Sequence, residues 1–111
     1  MSSSSSERPS ELEQIVRVIN PQGLHARPAD LLVRCADGFE SEIHLQKGSE
    51  RVDCRSILSL LTLGATAGTE LTLTARGADA SVALAAVIEL FEKGFHELDQ
   101  ASESSVVTDG R

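Results

Sequence analysis

Seven of the chain's eight glycines fall between residues 23 and 94, and they cut that stretch into segments too short for anything but a small layered fold. Between them the hydrophobic period switches repeatedly between two, the signature of a strand, and about 3.6, that of a helix. Leu12 to Ile19 carries the β-branched run Ile15-Val16-Arg17-Val18-Ile19 and suits a strand. Residues 26–37 set Leu32, Cys35, Ala36 and then Phe39 near one helical face, with Gly38 as the stop. From Glu40 to Gln46, Ile43 and Leu45 occupy one face while Glu42, His44 and Gln46 occupy the other. Lys47-Gly48-Ser49 reads as a hairpin turn into a short strand around Arg51-Val52-Asp53. Ser56 to Leu63 predicts a short helix closed by Gly64. Thr69 to Arg76 alternates strictly, with Leu71, Leu73 and Ala75 inward and Glu70, Thr72 and Thr74 outward. Asp79 then caps a final helix in which Leu84, Val87, Ile88, Phe91 and Phe95 recur at helical spacing. The order is βαββαβα, without an internal repeat.

Strands with one apolar face and helices with one apolar stripe must bury those surfaces against each other. The expected fold class is therefore α+β: a two-layer sandwich whose largely antiparallel, four-stranded sheet has helices on one face and polar residues such as Thr72 and Thr74 on the other. The ends are different. Residues 1–11 hold six serines, one proline and three charges, and residues 98–111 offer only Val106-Val107 as an apolar cluster. Both read as flexible tails around a domain at 12–97, because neither buries enough surface to offset the entropy of ordering. The net charge of −7 divides accordingly, since residues 12–96 carry 8 basic and 11 acidic side chains and the remainder of the excess lies towards the ends. An acidic chain without Trp or Tyr is a poor match for nucleic acid, whose binders neutralise phosphates and stack bases on aromatic rings. No apolar run reaches the length that spans a bilayer, and the N-terminus lacks the apolar core of a secretory signal, so a cytoplasmic protein that binds no membrane is expected.

The chemistry gathers in Asn20-Pro21-Gln22-Gly23-Leu24-His25-Ala26-Arg27-Pro28-Ala29-Asp30, which joins the first strand to the first helix. Asn-Pro and Gln-Gly bend the chain, and Pro28 fixes the helix start, because proline is tolerated in a first turn whose amides have no helical partner. Counting back puts His25 at or near the N-cap, where histidine is not among the favoured residues. A residue that breaks a local rule is a candidate for function. The backbone N–H groups of Ala26 and Arg27 and the positive end of the helix dipole favour an anion there, and the Arg27 guanidinium adds a fork of donors suited to phosphate. Gln22 either donates to the same anion or simply fills the turn. On spacing and physics alone, His25 reads two ways: as a surface histidine beside a helix start, or as a nucleophile that accepts and returns a phosphoryl group.

Gly23-Leu24-His25-Ala26-Arg27-Pro28-Ala29 resembles the active-site signature of HPr, the histidine-containing phosphocarrier of the bacterial phosphoenolpyruvate-dependent phosphotransferase system. The likeness continues in Arg55-Ser56-Ile57, in Leu63-Gly64-Ala65, in Gly68-Thr69-Glu70, and from Ala83 to Phe91 with Gly94-Phe95, where it is nearest the nitrogen-related branch. It implies an open-faced β-sandwich with three helices on one sheet face. It also implies that His25 is phosphorylated on Nδ1 by Enzyme I, that Arg27 helps hold the phosphoryl group, and that the group passes to an enzyme IIA-type protein. The carrier so implied is a monomeric covalent relay, not an enzyme with turnover of its own, and it needs no cofactor or metal.

Ser56 has two roles open to it. It caps the second helix, and in some family members the serine there is phosphorylated by an HPr kinase, which makes a regulatory binding module the alternative function. Ile57, Leu58 and Leu61 match positions where the family exposes an apolar docking patch for its partners, whereas Leu60 and Leu63 read as core. The remaining candidates fall away. His44 lies on a polar strand face, His96 at a helix end, and the three histidines lack metal-ligand spacing. Cys35 and Cys54 form no CxxC pair and read as packed thiols, and Gly23 belongs to no nucleotide-binding loop.

Overall fold

A computed structural model describes residues 11–97. The expected tails, 1–11 and 98–111, therefore lie outside the described residues except for Glu11, which opens the first strand. The elements are β1 (Glu11–Arg17), α1 (Ala26–Asp37), β2 (Glu42–Lys47), β3 (Glu50–Asp53), α2 (Ile57–Thr62), β4 (Glu70–Arg76) and α3 (Ala80–Glu92), followed by a 3₁₀ turn at Gly94–His96. The sheet runs β1-β4-β2-β3, and every pairing is antiparallel. The fold is the α+β open sandwich that the alternating periods predict.

Its core follows the period-two faces. Ile43 and Leu45 on β2, Val52 on β3, and Leu71, Leu73 and Ala75 on β4 are buried on the helical side. Leu32 and Ala36 from α1, Leu60 from α2, and Ala83, Val87 and Phe91 from α3 close over them. Leu45 pairs with Leu73 and with Val52, so the centre of the sheet is one apolar row across three strands. Thr72 and Thr74 are half-buried on the opposite face.

Four details differ from expectation. Strand β1 ends at Arg17 instead of continuing through Ile19, because its partner runs out: Gly68, at φ +91°, turns β4 away, and only Val18 still bonds to Gly68 and Thr69. Strand β2 begins at Glu42, since Glu40 and Ser41 give their amides to the Asp79 carboxylate. Asp79 does occupy the N-cap position of α3, but its side chain makes no cap hydrogen bond there. Its carboxylate instead accepts from the Ser41 hydroxyl and from both those amides, and so pins the start of β2 to the start of α3. Helix α3 stops at Glu92, and Phe95 reaches the core from beyond it. The Phe95 ring meets Phe91 edge-on, centroids 4.8 Å apart.

Arg55 performs a similar joining role at the other end of α1. Its guanidinium donates to the Ala36 carbonyl in the last turn of α1 and to the Phe39 and Ser41 carbonyls of the loop that follows, and so ties the helix end to the approach to β2. Among the described residues no helix is long and apolar enough to cross a membrane.

Candidate functional site

The loop between β1 and α1 is shaped by Asn20 and Gly23. Gly23 takes φ +74°, a region open to glycine at little cost, and its amide donates to Asn20 O at 3.0 Å. A side chain there would also lack room, because a Cβ would lie 2.6 Å from the Ala65 carbonyl oxygen. The next amide, of Leu24, donates to that same oxygen at 2.9 Å. The histidine loop thus leans directly on the segment that follows α2.

His25 is the N-cap of α1, with extended backbone (φ −86°, ψ −166°) and no side-chain cap bond. Ala29 N closes the first helical turn onto His25 O at 3.0 Å, so the amides of Ala26 and Arg27 come before the helical ladder begins. Pro28 has no amide to leave unsatisfied and is buried beside Ala29. No acidic residue sits in the first turn to neutralise the dipole. Ala26, Arg27 and Gln22 are exposed, and among the described residues the Arg27 guanidinium has no ion-pair partner. Of the sequence-predicted group, His25, Ala26, Arg27 and Pro28 therefore sit together at one helix start, and Gln22 lies in the turn before it.

One member of the site carried no local signal. Glu97, from the far end of the described chain, reaches the ring: His25 Nε2 and Glu97 Oε2 are 2.7 Å apart. Only an N–H on Nε2 bonds to a carboxylate, so the lone pair of the neutral ring lies on Nδ1. The other Glu97 oxygen accepts from Asn20 Nδ2 at 2.8 Å, and the same amide nitrogen donates to Gly23 O at 2.7 Å. Both neighbours are pure acceptors, which fixes the orientation of the Asn20 amide. The His25 side chain is 36% exposed and that of Glu97 only 13%.

The second cluster lies on α2. Ser56 is its N-cap, its hydroxyl accepting from Ser59 N at 3.3 Å and donating to Ser59 Oγ at 2.9 Å. Leu60 and Leu63 are buried, whereas Ile57, Leu61 and above all Leu58, at 72%, are exposed. Lys47 Nζ donates to the carbonyls of Leu63 and Gly64 and holds the far end of this short helix.

Elsewhere the chemistry is quiet. Cys54 is buried and Cys35 half-buried, and burial pushes both thiols up from their usual range, which keeps them protonated and poorly nucleophilic. His44 Nδ1 faces Arg51 Nη2 on the outer sheet face, and His96 is exposed. No group of three His, Cys, Asp or Glu among the described residues converges on a metal-sized site.

Residues 12–93 match the family model described as the PTS HPr component phosphorylation site. The chain is 43% identical over 82 residues to the phosphocarrier protein HPr of Treponema pallidum, covering 74% of this chain and 93% of that protein. It is 38% identical over 88 residues to the phosphocarrier protein HPr of Chlamydia muridarum, covering 79% and 85%. Among solved structures, an HPr from Thermoanaerobacter tengcongensis superposes with a TM-score of 0.75 at 37% identity, covering 78% of this chain and 97% of that one.

Proposed function

The chain belongs to the HPr phosphocarrier family, and from that premise we propose that it carries a phosphoryl group on Nδ1 of His25. The donor is phosphorylated Enzyme I and the acceptor an enzyme IIA-type protein of the phosphotransferase system. The protein acts as a monomeric cytoplasmic relay, without a cofactor and without turnover of its own.

One observation carries the reading: His25 caps α1 with Nε2 engaged by Glu97, which leaves Nδ1 as the nucleophilic nitrogen. The Nδ1 lone pair attacks phosphorus in line, the N–P bond forms, and the bond to the donor breaks with its electron pair going to the donor. The Nε2 proton stays on the ring, shared with the Glu97 carboxylate. Charge on the transferring group spreads over three oxygens, so positioning and electrostatics provide most of the acceleration. The free amides of Ala26 and Arg27, the Arg27 guanidinium and the Gln22 amide are the donors for those oxygens. Return of the phosphoryl group uses the same contacts in reverse. Ile57, Leu58 and Leu61 form the surface on which both partners dock.

The regulatory alternative, phosphorylation of Ser56 by an HPr kinase, must first release a hydroxyl that already accepts from Ser59 N and donates to Ser59 Oγ. Capping is the role we assign to it. The deciding experiment is incubation with phosphoenolpyruvate and a compatible Enzyme I, with intact mass read before and after mild acid. An acid-labile gain of one phosphoryl group is expected, and it must be absent from His25→Ala. No gain, or a gain that survives that substitution, overturns the proposal.

A further inference from the structure

We infer that Glu97 is a positioning residue for His25, selecting the ring tautomer that presents a lone pair at Nδ1; this rests on the reading of His25 as the phosphoryl acceptor. Three observations converge on it. The contact itself is short and charge-assisted, 2.7 Å between Nε2 and Oε2, and spans 72 positions of sequence. The carboxylate is itself held, because Asn20, fully buried, spends one amide proton on Glu97 Oε1 and the other on Gly23 O. The Asn20 Oδ1 is left buried without a donor among the described residues, an uncommon arrangement that favours a role for the amide beyond packing.

The backbone supplies the third observation. Gly94, Phe95 and His96 all take positive φ, at 59°, 53° and 65°. Glycine does so freely, but for Phe and His this is a strained conformation that persists only when the surroundings impose it. Here the buried Phe95 ring, set against Phe91, imposes it. The left-handed turn swings the chain off the end of α3 and brings Glu97 onto the ring. A chain that simply frayed after α3 would need neither the strain nor the anchor.

The arrangement performs a definite task. A neutral imidazole in water exchanges its proton between two nitrogens, and a fixed acceptor at Nε2 removes that ambiguity before phosphorus arrives. The same carboxylate then balances the ring as it gains positive character during attack.

The test uses the full chain with nitrogen-15 in its histidines. Two-bond proton–nitrogen correlations are expected to show the wild-type His25 ring protonated at Nε2, and to show Glu97→Ala shifted towards a mixture of the two tautomers. Phosphoryl acceptance from Enzyme I should slow on the order of tenfold in the variant, the scale of one lost charge-assisted hydrogen bond. Glu97→Gln keeps the side-chain shape and should fall between the two in rate; it retains the readout if alanine loosens the last turn. An unchanged tautomer, or rates for both variants within twofold of wild type, overturns the assignment of Glu97. Persistence of acid-labile phosphate on His25→Ala would instead overturn the reading of His25 while leaving the tautomer result intact.

Discussion

At the scale of single residues, the histidine is set by a glycine. Gly23 combines a positive φ with an approach to Ala65 that leaves no space for a Cβ. Gly23→Ala therefore adds a left-handed penalty to an overpacking penalty and should cost about 2–4 kcal/mol, read as a lower urea midpoint with unchanged slope. A loss under about 0.5 kcal/mol would show that the loop relaxes without leaning on Ala65. Much of this residue-level picture was legible beforehand. His25 at the N-cap, Pro28 in the first turn and the bend at Gly23 all followed from local turn and helix-start chemistry. Glu97 did not, because its partner lies 72 residues away and no periodicity marks it.

At the scale of elements, helix and strand starts are tied together by charged side chains. Asp79 is the clearest case: the Ser41 hydroxyl first, then the Glu40 and Ser41 amides, hold its carboxyl below the ordinary carboxylate range. A folded pKa below the unfolded one contributes stability that is complete above the unfolded value and disappears as pH falls through the folded value. Asp79→Asn should thus melt below wild type at neutral pH, with the gap closing in acid; a gap of constant size across the titration would contradict the linkage. Sequence placed Asp79 correctly at the start of α3 yet assigned its side chain to that helix, since propensity sees only neighbours. The apolar period likewise carried α3 through Phe95. Period reports burial, and Phe95 is buried; the positive φ of Gly94 and Phe95 had already ended the helix.

For the whole molecule, the His25 loop and the exposed leucines of α2 sit on a common frame. The exposed leucines of α2 contribute little to the core, so Leu58→Asp should change stability by no more than about 0.5 kcal/mol. If α2 is the docking face, the same substitution raises the KM for phosphoryl acceptance from Enzyme I while leaving the His25 tautomer untouched. An unaltered KM would remove Leu58 from that face. The frame itself was readable from alternating periods; the strand order β1-β4-β2-β3 was not, because ladder partners are chosen by the packed sheet and not by adjacency along the chain. The bond from Leu24 N to Ala65 O gives this layout a further meaning. It ties the His25 loop to the segment behind α2, so on the proposed reading a protein that grips the leucines receives the imidazole in a fixed register. Mutation can then redraw the address on the helix while the reactive group stays tuned, and a lineage can acquire new correspondents without reinventing the message.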